Sequence, residues 1–233
     1  MKQRIGSFFT AAILSVSVIF GNCMPVSAYD ENDRHKYPTD AYLQGIIFDG
    51  KKDMTKYIDN TAQFYSKNNM NMMWTWYDTG QDALERMQLT KMFISFTHGN
   101  QGGISLRDSK NQETWLTVDM IKNLEKNKLN SLQLCFYCAC QTGRGGSSGK
   151  NMVNAAADRG AQVVIGFKED VVIKHGNQYL YDFTKSLLQE KKTYKQSMAD
   201  GLFWAKFWFF GLAGGMDSAY TRGDLNQTYK QYK

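Results

Sequence analysis

Apolar positions along this chain follow two alternating patterns: short dense runs, and longer stretches with an apolar residue at every third or fourth place. The short runs, predominantly apolar, are 41–48 (AYLQGIIF), 70–77 (MNMMWTWY), 91–97 (KMFISFT), 132–138 (LQLCFYC) and 161–167 (AQVVIGF). Each suits a strand buried on both faces and is too short for a helix with its own core. Between them, 53–67 places Met54, Tyr57, Ile58, Ala62, Phe64 and Tyr65 at helical spacing. Further helices are expected at 82–89, 117–128, 149–159, 178–189 and 193–210, with Thr117 as an N-cap and Gly160 as a helix end. Residues 102–106 and 114–117 suit a small hairpin, and 168–177 reads as a polar loop. The aromatic run from Phe203 to Phe210 is interrupted by Lys206 and is shorter than the roughly 20 residues that cross a bilayer. It reads as a helix face packed on the sheet. Strands alternating with helices imply an α/β fold: a mostly parallel central sheet with helices on both faces, three layers in all.

Composition changes the picture at the start of the chain. Lys2 and Arg4, the apolar stretch 8–20 and the small residues of Pro25-Val26-Ser27-Ala28 read as a secretory signal peptide cleaved after Ala28. The stretch is short for a membrane anchor, and Asn22 before Cys23 is too bulky for a lipid-attachment site. Residues 29–40 form a polar leader, and 41–233 suit one domain of a secreted protein. Removing Lys2 and Arg4 takes two charges from the net +6. The remaining charge is scattered, with no basic run interleaved with aromatics, so nucleic acid is excluded as the expected partner. Cys135, Cys138 and Cys140 remain after cleavage, an odd number that leaves at least one thiol outside any internal disulfide.

The chemistry gathers where two apolar runs end. The run 91–97 opens into His98-Gly99, and the run 132–138 opens into Ala139-Cys140-Gln141-Thr142-Gly143. Open α/β sheets bind ligands outside the carboxyl ends of their strands. If the two strands are neighbours, His98 and Cys140 meet there, and a histidine beside a thiol supports nucleophilic catalysis. Gly99, with no Cβ, lets its N–H face a reacting carbonyl, and with the N–H of Cys140 it could complete an oxyanion hole. Cys135 and Cys138 read as small buried hydrophobes.

These two motifs resemble those of caspase-like (clan CD) cysteine peptidases, and most closely the CHAT branch related to separase. The pattern is an apolar strand into Thr97-His98-Gly99, then an apolar strand into Ala139-Cys140-x-Thr142-Gly143. The segments 155–165 and 179–205 also look like that branch. Cys138 stands where a true caspase has glutamine. The resemblance implies a caspase-like sandwich, a protein or peptide substrate, no cofactor, and hydrolysis through Cys140 and His98. It also implies a pocket for the residue before the cut, supplied by an acid after the strand that follows the nucleophile. Glu169 and Asp170 hold that place and would select Arg or Lys.

Other readings of the same residues are weaker. The cysteines lack the paired spacing of a zinc site, so no metal is expected. Gly145-Gly146-Ser147-Ser148-Gly149 fits the esterase expression around Ser147, with Asp170 and His175 following in order, but the serine lies too far beyond its strand. The stretch 143–150 lacks the glycine and hydroxyl of a phosphate loop, and Arg222-Gly223-Asp224 is given no role. The rival from another class is a binding module that keeps this fold without catalysis, which the presence of both His98 and Cys140 argues against.

Overall fold

The computed structural model of the chain describes residues 39–47, 53–145 and 151–230. The expected cleavage site after Ala28, most of the leader, and Ser147 lie outside them. The central sheet has six strands: β1 (Thr39–Gly45), β2 (Met72–Thr75), β3 (Thr90–Phe96), β7 (Leu134–Cys138), β8 (Val163–Phe167) and β9 (Ala219–Gly223), in the spatial order β2-β1-β3-β7-β8-β9. All neighbours are parallel except β9, which pairs antiparallel with β8. The expected strands are present with shifted ends: β1 and β3 begin and end earlier than expected, while β2, β7 and β8 are shorter. β9 was not expected, because AYTRG is short, half polar and only partly buried at a sheet edge. Its Arg222 donates to Asn154 Oδ1 at 2.9 Å.

Period-two alternation divides the core between two faces. Phe136 and Cys138 point to one side, with α1 (Lys56–Lys67), α5 (Ile173–Thr184) and α6 (Tyr194–Trp208). Cys135, Tyr137 and Ala139 point to the other, with α2 (Gly80–Leu89), α3 (Val118–Lys122) and α4 (Met152–Asp158). A second, antiparallel sheet of β4 (Gly99–Asn100), β5 (Gly103–Arg107) and β6 (Glu113–Thr117) confirms the expected hairpin and adds a strand that begins at Gly99.

Helix ends follow local chemistry. Thr79 accepts from the Asp82 amide and Asp82 accepts from the Thr79 amide, both at 3.1 Å, so α2 starts two residues before the expected 82. Thr117 caps α3 as anticipated, but the helix stops at Lys122, well short of 128. There Asn127 takes a φ of 64° and the Leu129 amide turns to the Arg159 carbonyl. α5 starts at Ile173, inside the stretch read as a loop. Gly176 there serves close packing: a Cβ on it would lie 2.7 Å from Phe96 Cζ.

One expectation about packing is overturned. The aromatic run does not lie on the sheet. α6 buries Tyr194, Ser197, Gly201 and Ala205, and leaves Phe203, Phe207 and Trp208 close to 60% exposed, at 59%, 60% and 58%.

Candidate active site

β3 and β7 are direct neighbours, and their ladder runs in register to Phe96 opposite Cys138. The Thr97 amide carries it on to the Cys138 carbonyl at 3.4 Å. His98 and Cys140 each stand two residues past that last pair, so the topology brings the two strand ends together as the sequence required. The contact is close at Gly99. A Cβ on that residue would lie 2.9 Å from Ala139 Cβ and 3.0 Å from the Cys140 carbonyl oxygen. Only glycine lets the two motifs touch in this way.

The histidine turn is held by the small sheet. The Thr97 hydroxyl donates to the Ser105 carbonyl, and the Ser105 amide donates to the His98 carbonyl at 2.9 Å. Ser105 Oγ in turn donates to Glu113 Oε1 at 2.6 Å. His98 is half-buried, and its pKa lies below the ordinary imidazole value. Burial is the main cause, the Arg107 guanidinium adds to it, and the Glu113 carboxylate opposes it.

The thiol turn is stitched to the end of β8. Gln141 sits in the left-handed region at a φ of 57°, directly after Cys140. Its amide donates to the Glu169 carbonyl at 3.1 Å, and the Gly143 amide to the Phe167 carbonyl at 2.8 Å. Thr142 is fully buried; its hydroxyl donates to the Ala139 carbonyl at 3.1 Å and accepts from the Phe167 amide at 3.3 Å. The side chain of buried Asn151 donates to the Gly143 carbonyl at 2.9 Å while its Oδ1 caps α4 through the Asn154 amide. Cys140 itself is half-buried, and the Val171 amide donates to its Sγ at 3.3 Å. Burial pushes this thiol up, the Val171 amide pulls it back, and Asp170 adds to the rise. Cys135 is fully buried and pushed up to about 12, and Cys138 is raised strongly by the same cause. Of the three, Cys140 alone is partly open to solvent.

Glu169 and Asp170 follow β8 and line a cavity of about 430 Å³ together with Gln141, Arg144 and Lys168. The Gln141 side-chain amide donates to Asp170 Oδ1 at 3.0 Å, so this pocket is one residue away from Cys140. His175, the third member of the esterase alternative, lies elsewhere: its ring is buried on α5, 4.0 Å from the Phe209 ring. No group of three His, Cys, Asp or Glu among the described residues is placed to hold a metal ion. Asn151 and Val171 were missed by sequence reasoning. Asn151 had a readable signal, an N-cap residue before an apolar helix; the Val171 amide had none.

A family model described as Peptidase family C25 matches residues 20–229. No curated protein sequence matches the chain. Among solved structures, the Arg-specific cysteine proteinase gingipain R (RgpB) is similar with a TM-score of 0.63 and 13% identity over 84% of this chain and 51% of that one. RgpB of Porphyromonas gingivalis, solved as a complex of its pro- and mature domains, is also similar. Separase of Saccharomyces cerevisiae, in complex with securin, gives 0.53 and 12% identity over 79% of this chain and 12% of that one. Caspase-1 of Spodoptera frugiperda gives 0.50 and 13% identity, covering 86% and 92%. At these identities the likeness is one of fold, which is caspase-like. The chain spans about half the length of the gingipain, 51%. The CHAT branch is not singled out by these matches.

Proposed function

The chain belongs to peptidase family C25, a cysteine-peptidase family with the caspase-like fold, and from this we propose that it hydrolyses peptide bonds with Cys140 as nucleophile and His98 as its proton-transfer partner. The observation that carries this reading is the seating of the His98-Gly99 turn on Ala139-Cys140, where a Cβ on Gly99 would come within 3.0 Å of the Cys140 carbonyl. Burial lowers the imidazole pKa and raises that of the thiol, which favours the neutral form of each before substrate binds. On attack, Cys140 Sγ bonds to the scissile carbonyl carbon as the thiol proton passes to His98. The backbone N–H groups of Gly99 and Cys140 are assigned to the oxyanion. Collapse breaks the C–N bond, and the imidazolium returns its proton to the leaving amine. Water then cleaves the thioester and restores the thiol.

Substrate choice falls to the cavity behind Gln141. Two carboxylates at the end of β8 favour Arg or Lys before the cut, with Asp170 as the anchor and Glu169 second. The start of the chain supports secretion after cleavage at Ala28. The test is labelling with an irreversible peptidyl electrophile followed by mass spectrometry of the modified residue. Label on Cys140 alone is expected. Label on Cys135 or Cys138 with Cys140 untouched would overturn the assignment.

A further inference from the structure

α6 is built with its small residues inward and its rings outward. It packs against α5 through Ser197, Gly201 and Ala205, close enough that a Cβ on Gly201 would lie 3.0 Å from the Tyr179 carbonyl. Its first half is polar, with Lys195, Gln196 and Asp200. The second half and the turn after it are apolar, and their large side chains stand open to solvent. Trp204 is 38% exposed, Phe203 59%, Phe207 60%, Trp208 58%, Leu212 67% and Phe210 100%. The polarity therefore changes from one end of the helix to the other rather than from one side to the other. Phe210 forms the tip, at a φ of 55°.

We propose that this tip is a reversible anchor for a lipid–water interface. At roughly 150–250 Å² per aromatic side chain, the exposed rings present on the order of 500–800 Å², whereas the largest apolar patch on a typical monomer is about 300–600 Å². A gradient along the axis suits a tip that enters a bilayer end-on. From Phe203 to Trp208 the helix rises about 7.5 Å, within the roughly 5–10 Å depth that interfacial helices reach. Phe and Trp with a nearby Lys are the side chains that favour this depth. Lys206 shares a cleft of about 350 Å³ with Phe203, Phe207 and Gly211. There its ammonium can reach up to a lipid phosphate while its stem stays among the rings. Its existing partner, Asp217 at 3.6 Å, is an exposed pair and a weak competitor. Without Lys2 and Arg4 the net charge of +6 falls by two and stays positive, which complements an anionic leaflet. A second copy of the chain is a poorer occupant. A stable interface needs about 800 Å² from each partner, at the upper end of what these rings present. No helix among the described residues is long and apolar enough to cross a membrane, so the contact is peripheral.

The proposal is tested on the chain 29–233, which lacks the apolar stretch 8–20. Vesicles of phosphatidylcholine, alone and mixed with phosphatidylglycerol, are sedimented with wild type, Phe207→Ser, Phe210→Ser, Trp208→Ser and Lys206→Gln. Wild type should bind both. Each lost ring should lower the partition coefficient about tenfold, and Lys206→Gln should weaken binding only to the mixed vesicles. Lipids brominated along the acyl chain should quench tryptophan emission of the bound wild type, a reading that needs no variant. Absence of wild-type binding to either vesicle would overturn the proposal. So would a concentration-dependent dimer in the centrifuge that the same substitutions dissolve, since the rings would then serve a second copy.

Discussion

Cys140 and His98 are perturbed in opposite directions by one cause, and this fixes the pH dependence of the proposed reaction. Burial disfavours the charge on each, so the neutral thiol and neutral imidazole coexist over a wide range. The acid limb of kcat/KM reports protonation of His98 in the free enzyme. Its midpoint should lie below the ordinary imidazole value of about 6.5, with activity rising as pH rises through it. Loss on the alkaline side should begin only above the ordinary thiol range. Two neighbours tune the acid limb with opposite signs. Arg107 disfavours the imidazolium, so Arg107→Gln should move the limb to higher pH; Glu113 favours it, so Glu113→Gln should move it lower. A pH series with one fluorogenic peptide on the three proteins is sufficient. Shifts of the same sign in both variants would remove His98 from the limb.

At the level of elements, Cys140 is positioned by the loop between β7 and α4 and not by the strand alone. Thr142 and Asn151 tie this loop back to Ala139, to β8 and to the start of α4. Asn151→Ala removes a helix cap and leaves the buried Gly143 carbonyl without its side-chain donor. Together these should destabilise the fold by about 1–3 kcal/mol, lowering the urea midpoint. Looser seating of Cys140 should lower kcat about tenfold or more, because a misplaced nucleophile loses the benefit of orientation. A variant with wild-type midpoint and wild-type kcat would refute this role. The same elements show what the sequence made legible. The buried strands were readable because burial on both faces produces a predominantly apolar run, and the two motifs were readable because they interrupt such runs. Edge strand β9 has neither property and escaped notice. The start of α5 was hidden because 168–177 reads as a polar loop, while the tertiary use of Gly176 there is to clear Phe96. The outward face of α6 was misread for a related reason. Apolar spacing locates a helix, but only the small residues Gly201 and Ala205 reveal which side is packed.

Across the whole molecule, the proposed site draws one contribution from each of three adjacent parallel strands: His98 after β3, Cys140 after β7, and Asp170 after β8. The order β3-β7-β8 places Cys140 between His98 and the cavity lined by Glu169 and Asp170, at the carboxyl ends of the strands where open α/β sheets bind ligands. The local charges decide how strong the pocket can be. Lys168 is turned onto the Tyr220 ring, 5.4 Å from its centroid, which draws one counter-charge away from the carboxylates. Asp170 already accepts from Gln141 through Oδ1. Oδ2 is then the oxygen offered to a guanidinium, a single charge-assisted bond worth about 1.5–3 kcal/mol, or roughly 10- to 100-fold in kcat/KM. Asp170→Ala should lose that factor for Arg before the cut while leaving uncharged residues unaffected. Glu169→Ala should lose less. Gln141→Ala should free Oδ1 for a two-point contact with Arg, which Lys cannot make, and so raise the ratio of Arg to Lys. A positional-scanning peptide library read against wild type and the three variants decides the matter. A preference for Asp or an apolar residue before the cut, or an Arg preference unchanged in Asp170→Ala and Glu169→Ala, would remove the pocket from these carboxylates and leave Cys140 and His98 in place.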